Sequence, residues 1–459
     1  MVIGFFDGQY VDRQACDLAF VRMHQRDPIG DRLHLLFACF GLIAMFGPVT
    51  LTEIAFAPLA VFFVVRVFNT FPIWIHGFGQ PVVLAAIALA GWMMLTLNWS
   101  GDPAHGWGEI AELRWFVLVG LVFPVIEKRM VLIAAMGIGI ALAQLAQILD
   151  AFDGFGIEPL ANLVQNHPGR IAGWWHPVVG GSILVGALGL HLPAMLFGTG
   201  RTRFLGIVGS SSAIVGVMAT GTRGAWIASV LLVVISVLIG VIIKQLHWQR
   251  MLILTIALVV LAMVAAMFIG DGLRDRLDET RTELTEIMDG EYDSYTGLRV
   301  KMGQIAFEAG AGHPFVGVGA GGYQSWANRH DPDSGVHAHA HNSLLQIWST
   351  LGIVGVVLWA IVLIAVLVAG WRLWIRDQGS EGFYGLGPTC AILGLILASL
   401  TDSVQLNTQT AALLGALAAL CPSYRPRLAP EASRSHDNRP IGEYTGMPES
   451  VGSSVVGDN

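Results

Sequence analysis

Charge is scarce in this chain. Asp, Glu, Lys and Arg make up 13% of its 459 residues, against roughly 25% in soluble domains. The deficit runs along the whole length, which excludes a soluble domain carrying one apolar anchor. Positive charge is not in excess either. The net charge of −7 leaves no basis for a nucleic-acid partner. Cysteine is sparse. Cys16, Cys39, Cys390 and Cys421 form no CxxC pair, so neither a disulfide framework nor a thiolate metal site is expected. Cys39, Cys390 and Cys421 lie in or beside apolar segments and are expected to pack as small hydrophobes. The chain lacks a P-loop glycine motif, an HExxH motif and an internal repeat. Its first 32 residues mix Asp12, Arg13, Asp17, Arg22 and Asp27 with no long apolar core, unlike a secretory signal.

What is abundant is apolar sequence, at 54%. Stretches close to the ~20 residues of a bilayer crossing recur, at 33–50, 51–68, 81–99, 115–127, 130–149, 177–198, 204–220, 224–243, 250–270, 342–370, 384–401 and 405–421. The expected fold is an all-α polytopic membrane protein of about twelve transmembrane helices. Lys and Arg prefer short cytoplasmic segments. With the N-terminus inside, that rule accounts for Arg32, Arg66, Lys128, Arg129, Arg201, Arg203, Lys244, Arg250, Arg372 and Arg376. The expected organisation is a cytoplasmic segment 1–32, helices one to nine over 33–270, a large periplasmic loop 271–341, helices ten to twelve over 342–421, and a disordered cytoplasmic tail 422–459. The large loop holds 12 of the 33 acidic residues and opens on an amphipathic, solvated helix.

Several outer-side residues break the pattern. Arg114 and Arg223 border spans where the charge rule disfavours them. Arg223 lies in GTRGAW at the start of the eighth helix, where free N–H groups already favour an anion. A guanidinium there adds a fork that grips phosphate in two places. Snorkelling, or pairing with a nearby carboxylate, is the plainer alternative. Arg170, in NHPGRIAGWW, and Arg299 lie in the larger outer loops, and the aromatic residues beside Arg170 fit an interfacial belt.

The run HAHAHN places His337, His339 and His341 at alternate positions. In extended chain the three share one face and could bind zinc, but no fourth ligand stands at an expected spacing, so no metal is assigned. His341 directly precedes the tenth helix, which Asn342 or Ser343 can cap. The helix N-terminus favours neutral imidazole, which can accept a proton from a hydroxyl. A capping or interfacial histidine without a chemical task is the alternative. HPFVGVGAGGY, residues 313–323, suggests a compact turn running close to something, a polyprenyl chain or a sugar among the options.

The stretch from GTRGAW through YTGLRVKMGQIAFEAGAGHPFVGVGAGGY to HAHNSLLQIWSTLGIVG resembles the signature region of the bacterial O-antigen ligase and O-antigen polymerase superfamily. His341 and Asn342 are followed by nine residues, Gly352, two more residues and Gly355, as in the ligase motif. The resemblance implies a membrane glycosyltransferase with an undecaprenyl-diphosphate-linked glycan as donor. It implies transfer on the periplasmic side, with no cofactor and no metal. By the same resemblance, Arg223, Arg299 and Arg170 hold the diphosphate and His341 orients or deprotonates the acceptor. Asn342, His339, His337, Gly352 and Gly355 are supporting residues. The acceptor is lipid A-core in a ligase, or a second lipid-linked repeat unit in a polymerase. The HN-x9-G match favours the ligase. The competing class is a non-enzymatic transporter, for which mid-span carboxylates are expected and not found.

Overall fold

Long apolar runs with few interior charges fold as helices here, because helices satisfy their own backbone groups. The computed structural model describes residues 13–152, 170–242, 271–332, 339–376 and 383–422, with Ile256 alone between the second and third stretches. Over those residues the chain is all-α, with no strand, inside one compact unit that spans 1–426. The expected ninth span (250–270, apart from Ile256) and the tail from 423 onward lie outside the described residues, as does His337.

The longer helices are α1 (Arg13–Arg26), α2 (Pro28–Ala44), α3 (Pro81–Thr96), α4 (Pro103–Glu112), α5 (Arg129–Ala151), α6 (Pro177–Phe197), α7 (Gly200–Ala219), α8 (Arg223–Ile242), α9 (Asp271–Met288), α10 (Tyr295–Gly312), α11 (Tyr323–His330), α12 (Ser343–Arg376), α13 (Phe383–Ala398) and α14 (Thr408–Leu420). Among the described residues, six helical stretches are long and apolar enough to cross a bilayer. A bent pair, Val49–Val65 with Val67–Phe78, makes a seventh if counted as one span.

Two regions depart from the simple span reading. The bent pair turns by 113° at Arg66, close to the expected end of the span 51–68, but helix resumes at once over Val67–Phe78. Arg66 is buried and donates to Asp27 (2.8 Å) and Asp31 (2.6 Å), so the chain turns where its charge meets two carboxylates. The expected span 115–127 is not one regular helix. It is a succession of short turns, Leu113–Val117, Leu118–Val122 and Phe123–Lys128, with Pro124 and a non-helical Val125 inside the last.

The centre of the molecule is α6. Most of its residues are buried, and it packs against α7, α8, α13 and α14. Small residues permit this. A methyl group on Gly189 would lie 2.5 Å from the Cys390 carbonyl oxygen, so α6 and α13 touch almost backbone to backbone. Cys390 and Cys421 are buried and Cys39 is half-buried, as expected for small hydrophobes. α12 lies along α3, α10 and α13.

One loop explains two sequence motifs together. α12 breaks at Gly352, whose φ is +63°. The strap of residues 313–322 fills that break. Ile353 N donates to the Pro314 carbonyl (2.8 Å), Val318 N to Ser349 (2.8 Å) and Gly319 N to Thr350 (2.9 Å). Groups freed by the break are thereby paired again. The far side of the strap is clamped by Thr96, Ser100 and the buried Glu109, whose carboxylate accepts from Gly321 N (2.8 Å) and Gln346 Nε2 (3.0 Å). The close approach expected of this glycine run is therefore to protein backbone. A methyl group on Gly317 would meet the Thr350 carbonyl at 2.3 Å, and one on Gly352 the Phe315 carbonyl at 2.5 Å.

Candidate active site

Four separate stretches of chain meet at one cavity of about 1040 Å³. Arg170 comes from the segment before α6, Arg223 from the first residue of α8, Arg299 from α10, and His341 with Asn342 from the start of α12. Val178, Ile227, Val300, Phe307, Leu345 and Leu400 supply apolar wall between them. The arrangement is an apolar chamber with guanidinium groups set in it.

The turn before α8 forms as GTRGAW suggests. Gly221 has φ +62°, and a methyl group on Gly224 would clash with the Thr401 hydroxyl. Arg223 is held by carboxylates from the loop. It donates to Glu283, to Glu279 (3.2 Å) and to Thr296 Oγ1 (3.3 Å), while Thr296 Oγ1 donates to Glu283 (2.6 Å). Burial opposes charge on Glu283, but the Arg223 and Thr296 hydrogen bonds outweigh it and hold its pKa below the ordinary carboxylate value. The plainer reading of Arg223, a carboxylate partner, is thus present in this structure alongside its place in the cavity wall.

Arg170 donates to the Thr220 carbonyl (2.8 Å) and to Thr222 Oγ1 (2.8 Å), which ties it to the same turn. Arg299 is held more loosely, by the Tyr295 hydroxyl (3.2 Å), the Thr401 carbonyl (3.4 Å) and the face of the Tyr295 ring (4.8 Å). Its Nε is buried with no acceptor among the described residues. A buried guanidinium N–H without a partner is costly, and an anionic group entering the cavity would satisfy it.

Asn342 caps α12. Its Oδ1 accepts from Leu345 N (3.0 Å) and its Nδ2 donates to the Leu400 carbonyl (2.9 Å). Ser343 N donates to the Ser399 carbonyl (2.9 Å), so the end of α13 is docked onto the start of α12. That docking brings Asp402 to His341. His341 Nδ1 stands 3.3 Å from Asp402 Oδ1, and the His341 backbone has a left-handed φ of +48°. Burial would raise the Asp402 pKa, but hydrogen bonding to His341 and its charge hold it below the ordinary value. With Nδ1 hydrogen on Asp402, the basic nitrogen of His341 is Nε2. His339 packs edge-on to the His341 ring at 4.2 Å, and both rings line a second cavity of about 230 Å³ with Asp402 and Arg299.

Gly352 and Gly355 do not line either cavity. Gly352 makes the helix break, and Gly355 sits one turn on, where a methyl group would overlap the Leu351 side chain. Tyr323 and Trp326 are also absent from the wall. Tyr323 is fully buried and donates to the Met302 carbonyl (2.8 Å). Asp402, Glu283, Tyr295 and Thr296 were not anticipated as site residues. The signal for Asp402 was a carboxylate in a short turn between two apolar spans.

The sequence model of the O-antigen ligase family matches residues 208–360. Over this stretch, about a third of the chain, the protein is similar to the O-antigen ligase family. No curated protein matches the chain. The O-antigen ligase match takes in Arg223, Arg299, His341, Asn342, Gly352 and Gly355. Arg170 and Asp402 fall outside it, yet the fold adds Arg170 to the same cavity wall and sets Asp402 against His341. Together with the apolar helices, the match supports a multi-pass membrane protein that is similar over this stretch to O-antigen ligases.

Proposed function

We propose that the protein is an inverting, metal-independent glycosyltransferase of the ligase type. It takes a glycan from an undecaprenyl-diphosphate donor and passes it to a hydroxyl of lipid A-core at the periplasmic face of the inner membrane. About twelve helices cross the membrane in this reading, both termini are cytoplasmic, and the loop 271–341 is periplasmic. The observation that carries the proposal is the convergence of Arg170, Arg223, Arg299 and His341 on one largely apolar cavity. A polyprenyl diphosphate has the same two parts, an apolar tail and a doubly anionic head.

In the proposed reaction the arginines bind the diphosphate and neutralise charge as it leaves. Nε2 of His341 takes the proton from the acceptor hydroxyl. The hydroxyl oxygen forms a bond to the anomeric carbon from the face opposite the diphosphate. The bond from that carbon to the diphosphate oxygen breaks, its electron pair leaves with undecaprenyl diphosphate, and the configuration inverts. Asp402 orients the imidazole. Fixed guanidinium charge does here what a bound cation does in many diphosphate-releasing enzymes.

The test uses purified protein in detergent with EDTA, an undecaprenyl-diphosphate glycan, and either lipid A-core or excess lipid-linked repeat unit as acceptor. A single shift of lipid A-core on a gel is expected. A ladder of lengthening lipid-linked glycan would move the assignment to polymerase. No product with either acceptor, from folded protein, would defeat the transferase reading.

A further inference from the structure

Beside the proton-accepting position lies a set of groups that the proposed reaction does not fully use. His339, His341 and Asp402 each present one ligand atom, and these atoms all lie within 4.8 Å of one another. Two imidazoles and a carboxylate with an open fourth position are a zinc ligand set. The sequence could not show this, because the alternating histidines lacked a further ligand at any expected spacing. Asp402 supplies it from the turn after α13.

The geometry accommodates a metal as well as a hydrogen bond. Charge-assisted hydrogen bonds run about 2.7–2.9 Å, whereas His341 Nδ1 and Asp402 Oδ1 are 3.3 Å apart. Zinc bonds to histidine and carboxylate of about 2.0–2.2 Å put neighbouring ligands of a tetrahedron roughly 3.3–3.5 Å apart. The His341–Asp402 separation is already that edge. The His339 ring stands next to His341 at a 65° interplanar angle, as two ligands converging on one ion from different directions do. The adjoining cavity of about 230 Å³ leaves room for water at the fourth position.

We propose that His339, His341 and Asp402 form a binding site for Zn²⁺ or a similar transition-metal ion, and that its occupancy switches transfer off. The inhibitory half rests on the transferase reading above. A metal on Nδ1 of His341 displaces the Nδ1–Asp402 contact and adds positive charge to the ring, so Nε2 no longer serves as the base. Asp402 is likewise withdrawn from orienting it. Hard, oxygen-seeking Mg²⁺ does not favour this imidazole-rich set.

Cobalt tests the site without reference to activity. Tag-free protein stripped with chelator is titrated with Co²⁺, and the visible bands of four-coordinate cobalt are followed. Wild type is expected to saturate at one ion per chain. His339→Gln and Asp402→Asn, each with a thermal midpoint near that of wild type, are expected to lose the bands. Absence of bands in wild type, or bands unchanged in His339→Gln, overturns the site. Zinc added to the metal-free transfer assay is then expected to cut turnover at least tenfold, reversibly with EDTA, while Mg²⁺ does not. Full transfer by protein saturated with zinc overturns the inhibitory half. Metal-free protein that transfers nothing counts against the transferase reading, and the cobalt spectrum still decides the site.

Discussion

His341 and Asp402 are 61 positions apart in sequence and 3.3 Å apart in space. The contact exists because Ser343 N bonds to Ser399 and Asn342 Nδ2 to Leu400, which clamps the end of α13 to the start of α12. Proton transfer to a placed base is worth about 10²–10⁴-fold in rate. Asp402→Asn keeps the shape of the side chain and loses the charge that steadies the imidazolium. The expected result is a fall in kcat of roughly 10- to 100-fold, a fraction of that range. KM for the lipid-linked donor stays near wild type, because the arginines are untouched. A matching rise in donor KM with kcat preserved would assign Asp402 to binding instead.

Arg299 presents a buried Nε with no acceptor among the described residues, next to the Tyr295 ring. A bidentate fork is not replaced by the point charge of lysine. Arg299→Lys is expected to weaken donor binding and turnover nearly as much as Arg299→Ala, by about 1.5–3 kcal/mol, the range for a hydrogen bond to a charged group. Steady-state kinetics against donor concentration measures this. Wild-type behaviour in the Lys variant would remove Arg299 from the diphosphate grip.

Gly352 carries no side chain to the cavity and is nevertheless required by the fold. Its φ of +63° and the Phe315 carbonyl 2.5 Å from any added methyl group make Gly352→Ala strained twice. A cost on the order of 1–3 kcal/mol is expected, read as a lowered thermal midpoint. Gly91→Ala, in α3 where an added methyl group meets nothing within 4 Å, is the comparison and is expected to cost less.

The sequence made much of this legible. α3, α5, α6, α7 and α8 fall within a few residues of the apolar runs that announced them. The start of α12 was marked by HN, and Asn342 does cap it. Arg223 was conspicuous because it stood against the charge rule, Arg170 and Arg299 through the family resemblance, and the fold gathers the three around one cavity. What stayed hidden depends on contacts between distant segments. Arg66 turns the chain because two aspartates of an earlier segment meet it. The glycine run looked like a ligand loop because close backbone approach has the same composition whether the neighbour is substrate or, as here, Thr350 and Ser100. Asp402 and Glu283 read as ordinary acidic residues until their partners were known.

His24 lies far along the chain from the site and governs how the N-terminal helix is fastened. It contacts Asp31 (2.6 Å) and Glu127 (3.0 Å). The hydrogen bond to Asp31, then that to Glu127, raises its pKa from 6.5 to about 9 against the effect of burial. A raised histidine pKa stabilises the folded state fully below its unfolded value of 6.5 and loses that contribution as pH rises through about 9. The thermal midpoint is expected to fall between neutral pH and about pH 10, and His24→Ala to flatten that slope. An identical slope in the variant would show that His24 is not the group responsible.

The measurement that bears most directly on the account is glycan transfer by purified His341→Ala protein beside wild type, with EDTA present and donor binding measured on the same samples. The account predicts no detectable product from the variant, with donor affinity and thermal midpoint retained. Transfer at the wild-type rate by His341→Ala would contradict it.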